Sequence, residues 1–202
     1  MTTMLDPPAH FDTLFTEHAD PWGTRSRWYE SRKRALTLAV LPQSRYSRAY
    51  EPGCGAGELS AELASRCDQL LATDASKAAV ARARSRLKSH RNVRVEQALT
   101  PREWPPGPFD LVVVSELAYY LDLDEAHDLA RAMRASLAPG ATVVACHWRH
   151  PERDLRLRAH DAHAMLEAGC ALAAIARYED DDFLLEAWSQ DPRSVAQREG
   201  LA

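Results

Sequence analysis

No two of the four cysteines, at positions 54, 67, 146 and 170, form a Cys-x-x-Cys pair. Neither a thiolate zinc site nor a disulfide framework is indicated, and free thiols fit a reducing cytoplasm, the expected location. Lysine is scarce, confined to positions 33, 77 and 88, and the net charge is −4. A nucleic-acid-binding domain normally carries a clustered basic excess. Here the arginines are interleaved with Asp and Glu, and the basic runs at residues 25–34 and 82–94 read as helix surfaces, so no nucleic-acid partner is expected. No apolar run approaches the ~18 residues of a membrane span. Residues 1–10 lack a basic start followed by an apolar stretch, so no membrane anchor and no secretory signal are expected. Internal repeats and a second domain are also missing. With 202 residues, 46% of them hydrophobic, the chain reads as a single domain over 1–202. Nothing in it speaks to oligomeric state.

What is present is alternation of two periodicities. Apolar residues at helical spacing predict helices over residues 10–18, 26–41, 58–66, 76–89, 123–137 and 158–168. In the second of these, Trp28, Ala35, Leu38 and Ala39 recur on one face. Short apolar segments between them predict strands over 48–51, 68–74, 93–95, 109–115 and 142–147. The run Leu111-Val-Val-Val114 reads as a strand buried on both faces. A final strand pair, 171–178 and 183–188, is joined by an acidic turn. Regular alternation of this kind predicts an α/β fold, a mostly parallel sheet of seven strands flanked by helices and closed by a C-terminal antiparallel hairpin. Residues 1–42 are expected to form a helical cap or lid, and residues 190–202 a mobile tail.

The decisive segment is Glu51-Pro-Gly53-Cys-Gly55-Ala-Gly57, between the first strand and the helix after it. Glycines there let a ligand approach the backbone without meeting a Cβ. Asp74 follows at the end of the second strand, where a carboxylate can accept two ribose hydroxyls. A dinucleotide-binding loop shares this order, but its first glycine directly follows the strand and its loop holds a pyrophosphate. Glu51, two residues before Gly53, would repel a pyrophosphate and attract an ammonium group. That favours S-adenosylmethionine over a nicotinamide cofactor.

Four segments carry a family resemblance: Asp20-Pro21-Trp22; Trp28-Tyr29-Glu30 with Arg32-Lys33; Glu51-Pro-Gly-Cys-Gly55; and Phe109-Asp-Leu-Val-Val-Val-Ser-Glu-Leu-Ala-Tyr-Tyr-Leu121. Over roughly residues 11–150 the chain resembles the class I S-adenosylmethionine-dependent methyltransferases, and within them the NodS-like N-methyltransferases. The resemblance implies a Rossmann-like methyltransferase sheet. It implies that Gly53, Gly55 and Asp74 line the cofactor, that Ala75 and Ser76 sit against the adenosine, and that Tyr29 and Arg34 reach it from the N-terminal helix. Many relatives carry an Asp after the third strand; here Gln97-Ala-Leu99-Thr100 has none, which leaves backbone groups or Leu99 packing to hold the adenine.

Ligands in open α/β sheets bind at the carboxyl ends of the strands. Ser115 and Glu116 follow the fourth strand, and His147, Trp148, Arg149 and His150 follow the fifth. Ser115 is therefore expected near the cofactor, Glu116 and His147 at the reacting atoms, and Trp22, Tyr119, Tyr120, Arg149 and His150 around a small-molecule acceptor. Tyr119, Tyr120, Trp22, Trp28 and Tyr29 could equally be packing aromatics. His147, His150, His160 and His163 could gather around a metal, but no acidic ligands accompany them and no metal is expected. N-methylation of a small amine such as an amino sugar is the expected reaction. Transfer to oxygen, a catalytically silent S-adenosylmethionine-binding protein and a nicotinamide-dependent oxidoreductase are the alternatives.

Overall fold

The computed structural model describes residues 7–202; residues 1–6 of the expected cap lie outside them. Seven strands form one sheet: β1 (Tyr46–Pro52), β2 (Cys67–Asp74), β3 (Val93–Gln97), β4 (Phe109–Ser115), β5 (Leu137–Trp148), β6 (Ala173–Glu179) and β7 (Phe183–Ser189). Their order is β3-β2-β1-β4-β5-β7-β6. The first five run parallel, and β7 lies antiparallel between β5 and β6. The helices are α1 (Pro7–Glu17), α2 (Trp28–Ala39), α3 (Glu58–Leu63), α4 (Lys77–Arg86), α5 (Leu123–Ala135), α6 (Ala159–Cys170) and α7 (Val195–Arg198). This is the expected fold class. Chain order reverses between β1 and β4, which opens a crevice at their carboxyl ends, where such sheets hold ligands.

β4 explains how the sheet is covered. Leu111, Val112, Val113 and Val114 are all fully buried. Val112 and Val114 pack with Leu129, Met133, Leu166 and Trp188 beneath α5 and α6. Leu111 and Val113 pack with Leu59, Leu63 and Leu41 on the opposite face, under α2 and α3. The two-residue side-chain period of a strand thus feeds both cores.

Three local expectations are corrected. Of the α2 residues expected on the inward face only Leu38 packs on the core: Trp28 is 78% exposed, Ala35 and Ala39 are exposed, and Glu30, Lys33 and Thr37 are the buried residues. β5 starts earlier than expected, because a register shift between Phe109 and Leu111 of β4 absorbs Pro139-Gly140 within the strand. Helix α5 stops at Ala135. Residues 190–202, expected as a mobile tail, carry α7. Ser194 and Gln197 form a capping box on α7, and Arg198 donates to the Asp191 carbonyl at 2.7 Å.

Helices α5 and α6 meet closely where Gly169 faces Ala130: a Cβ on Gly169 would lie 2.3 Å from the Ala130 Cβ. Gly169→Ala gains about 1 kcal/mol of helix propensity but forces two packed helices apart, an overpacking cost of about 1–3 kcal/mol. A net loss of stability in urea denaturation is expected. A stabilised variant would contradict this packing.

Candidate active site

A cavity of about 690 Å³ opens at the carboxyl ends of β1, β2 and β4, roofed by α1 and α2. Its floor is the loop after β1. Gly53, Gly55 and Gly57 have φ of +71°, +54° and +83°, the left-handed region in which a Cβ is strained. The loop is tied to the end of β2. Cys54 N–H donates to the Thr73 carbonyl at 2.9 Å, and Gly55 N–H donates to Asp74 Oδ2 at 2.9 Å. The other Asp74 oxygen accepts from Ser76 N–H at 2.9 Å. Burial raises the Asp74 pKa, and the two N–H donors oppose the rise. Glu51, on the same floor, is 3% exposed; one of its oxygens accepts the Ser60 hydroxyl at 2.6 Å. Burial, aided by the charge of Asp74 and opposed by the Ser60 hydroxyl, pushes the Glu51 pKa up to about 8.

Helix α1 covers this floor. Asp12 accepts from the Ser76 hydroxyl at 2.8 Å and from Ala78 N–H at 3.0 Å, and the Arg82 guanidinium donates to the Phe15 carbonyl at 2.7 Å. A Cβ on Gly55 would meet the Phe15 ring at 3.4 Å. Phe15 packs on Trp22 and Phe11 packs on Tyr120, with ring centroids 5.5 and 4.8 Å apart, so an aromatic wall runs from α1 to the turn after β4. Ala75, Leu99 and Arg34 also line the cavity; Arg34 is held by Glu62 at 2.6 Å and by the Thr24 carbonyl at 2.6 Å.

The far end is polar. The Lys33 ammonium lies 2.7 Å from Glu116 Oε1, 3.2 Å from Glu30 Oε1 and 5.0 Å from the centre of the Tyr29 ring. Burial lowers the Lys33 pKa, but Glu116 and Glu30 outweigh it and the net shift is upward, so the ammonium stays charged. The second Glu116 oxygen accepts from Trp148 N–H at 3.1 Å and from the Tyr119 hydroxyl. Glu116 has a φ of +53°, a left-handed conformation that costs a non-glycine residue roughly 1–2 kcal/mol. Glu30 is buried, yet its second oxygen makes no hydrogen bond among the described residues and is not sealed from the cavity.

Of the residues expected at the site, Trp22, Tyr29, Arg34, Glu51, Gly53, Gly55, Asp74, Ala75, Leu99, Ser115, Glu116, Tyr119 and Tyr120 line this one cavity. Four do not. Ser76 is fully buried behind Asp74 as the N-cap of α4, accepting from Ala79 N–H at 3.1 Å. His147 is fully buried on the opposite side of the sheet edge, with both ring nitrogens engaged, one of them by His163 at 2.9 Å. Burial and the neighbouring His163 and Lys33 hold its pKa well below the ordinary 6.5, so it cannot meet an acceptor as a base. Arg149 turns to Glu179 at 3.0 Å and to the Asp180 carbonyl, and His150 turns to Asp182 at 2.9 Å. His160 pairs with Glu179, so the four histidines share no site. Glu30, Lys33, Phe11 and Phe15 are cavity residues that were not expected. The spacing of Glu30, Lys33 and Thr37 along one helical face was the available signal.

A family model described as a methyltransferase domain matches residues 49–140. The crystal structure of a candidate methyltransferase from Pseudomonas syringae is 48% identical to the chain, covers 81% of it and 99% of that protein, and superposes with a TM-score of 0.73. The chain belongs to the class I S-adenosylmethionine-dependent methyltransferases. Nodulation protein S of Sinorhizobium fredii is 31% identical over 127 residues, 62% of this methyltransferase-family chain. The match spans 59% of that relative's length. The N-methyltransferase NodS of Bradyrhizobium japonicum WM9, in complex with S-adenosyl-l-homocysteine, shares the fold with a TM-score of 0.84 over 94% of this chain and all of that one, at 24% identity.

The cavity floor of this family member makes its own prediction. A carboxyl whose folded pKa is raised adds stability below its unfolded pKa near 4.5 and loses that stability as pH rises through about 8. Glu51→Gln removes the titration. The melting temperature of the variant should therefore gain on wild type as pH rises from 5 to 9 in the absence of ligand. Parallel curves in scanning calorimetry would show that Glu51 is not held in a charge-averse site.

Proposed function

We propose that the chain is a cytoplasmic S-adenosylmethionine-dependent methyltransferase whose acceptor is the nitrogen of a small amine, an amino sugar being one candidate. The donor site is the glycine loop. Each Asp74 oxygen keeps a lone pair free for a ribose hydroxyl after accepting its backbone N–H. The Glu51 oxygen not taken by Ser60 suits the donor's ammonium group, and Ala75 and Leu99 suit the adenine. When bound, the donor supplies an electrophilic methyl group on positively charged sulfur. Residues 1–42, as far as they are described, act as the cap of a single domain, with Phe11, Phe15 and Trp22 closing over the donor and excluding water.

The observation that carries the amine reading is charge. Eight carboxylates and five bases line the cavity, and the far end holds Glu30, Glu116, Asp122, Glu125 and Glu152 against Lys33, Arg102 and Arg156. A net negative chamber walled by Tyr29, Tyr119 and Tyr120 favours a cation over a neutral hydroxyl. An ammonium must lose a proton before its lone pair can attack carbon. Glu116 has its oxygens occupied by Lys33, Tyr119 and Trp148. Glu30, with one oxygen fixed by Lys33 and the other open, is the group that orients the amine and takes the proton.

The test is product mass spectrometry with methyl-labelled donor and a panel of amines, amino sugars, phenols and thiols. Methylation at nitrogen is expected. Transfer only to phenols or thiols, or to none of the panel, would overturn the amine reading. With the preferred amine, Glu30→Gln should lower kcat by roughly 10²–10⁴-fold and leave S-adenosylhomocysteine affinity within about twofold. Asp74→Ala should instead weaken that affinity by about 1.5–3 kcal/mol per lost hydrogen bond in calorimetry. Unchanged affinity in a folded variant would remove Asp74 from the donor site.

A further inference from the structure

The turn after β4 brings Glu116 and Tyr119 into the cavity; Tyr120 N–H closes it on the Leu117 carbonyl at 3.0 Å, but the N–H groups at its start find their partner outside it. Glu116 is in the left-handed region, and the N–H groups of the next two residues, Leu117 and Ala118, both point at one atom, His147 Nε2, at 3.4 and 3.0 Å. The Tyr119 ring also rests edge-on against the His147 ring, with centroids 4.9 Å apart. Because Ala118 N–H donates to it, His147 Nε2 carries no proton. The proton sits on Nδ1 and is donated to His163 Nε2 at 2.9 Å. His163 then holds its own proton on Nδ1 and donates it to Glu186 Oε2 at 2.7 Å. The other Glu186 oxygen is paired with Arg177 at 2.5 Å at the surface. Only this arrangement, with both imidazoles neutral, satisfies every contact in the chain.

We infer that His147, His163 and Glu186 form a positioning relay, which fixes the Glu116–Tyr119 turn in the cavity through a single oriented chain of proton donors. The inference rests on the methyl-transfer reading of the cavity for its consequence, not for its geometry. None of the three residues lines the cavity, so none is catalytic; they act through Glu116 and Tyr119. An imidazole whose second nitrogen is oriented by a carboxylate-anchored neighbour keeps one tautomer, and so keeps one direction for its lone pair. The titratable groups packed on His147 are Tyr119 from the turn and His163 from α6, and the charge of Lys33 acts on it from α2. Those facing His163 are His160 on its own helix, Glu186 of β7 and Arg177 of β6. Burial together with Lys33 and His163 disfavours a charge on His147, so the tautomer should persist below neutral pH.

The test is NMR of the full chain with ¹⁵N-labelled histidine, alongside two variants. In wild type, His147 should be the neutral Nδ1–H tautomer from pH 9 to pH 6, with no titration. An Nε2–H tautomer, or titration near pH 6.5, would overturn the relay. Glu186→Leu removes the last acceptor without touching the cavity. It should shift the His163 tautomer, speed exchange of the Ala118 amide about tenfold and lower kcat about tenfold on the preferred amine, with S-adenosylhomocysteine affinity unchanged. Glu186→Gln keeps an acceptor oxygen and should restore all three. A purely structural role would lower stability in both variants and leave tautomer and kcat of the folded fraction alone. A folded Glu186→Leu with wild-type tautomers and Ala118 protection would contradict the inference. The NMR readouts need no acceptor, so failure of the methyl-transfer reading is told apart from failure of the relay.

Discussion

Two carboxylates stand at the adjoining ends of β1 and β2 with no cation paired to either among the described residues. Glu51 has a serine hydroxyl and Asp74 has two backbone N–H groups, and both are set in a floor of glycine backbone. Burying charge without a counter-ion is costly, and the raised Glu51 pKa is the response to that cost. The same two groups hold the loop in place, since Asp74 is the acceptor that stops Gly55 N–H from being orphaned. Loop shape and ligand charge are therefore one problem with one solution. A site built this way prefers a ligand that brings hydroxyls and positive charge, and it rejects phosphates.

The opposite end of the cavity solves the problem differently. There the buried cation is present, as Lys33, and it is shared between Glu30 and Glu116. An ion pair in such a setting adds little to stability, but it fixes which carboxylate oxygens remain free. Glu116 is saturated and its backbone is strained, so it acts as a strut. Glu30 keeps one open oxygen. The distinction between these two glutamates rests on hydrogen-bond partners, not on distance from the strand ends.

Much of the frame was legible in the amino-acid sequence, because strand and helix periodicities are local. Leu111-Val-Val-Val114 could only be a doubly covered strand, and the glycine loop stands between β1 and α3 as read. The errors arise where side-chain direction or a sequence-distant partner decides. Residues at the end of β5 alternate faces. His147 shares the parity of Val143 and Ala145, which lie in the α5–α6 core, while Trp148 shares that of Val144 and Cys146 on the α2 side. A one-residue difference thus moves the histidine behind the sheet and leaves Trp148 at the cavity. In α2 the apolar stripe was taken as the buried face, and the buried face is polar because it looks into the cavity instead of the core. Arg149 and His150 were lost to acidic partners on the β6–β7 turn, which are distant in sequence.

The most direct measurement of the central claim is calorimetric titration with S-adenosylhomocysteine at pH 7 in two buffers of different ionisation enthalpy. A Glu51 with a pKa of about 8 is mostly protonated at pH 7 before ligand is added, and an arriving ammonium group should ionise it. The account predicts buffer-dependent enthalpy corresponding to release of up to about one proton, abolished in Glu51→Gln. Tight binding with the same enthalpy in both buffers, or no binding, would contradict it.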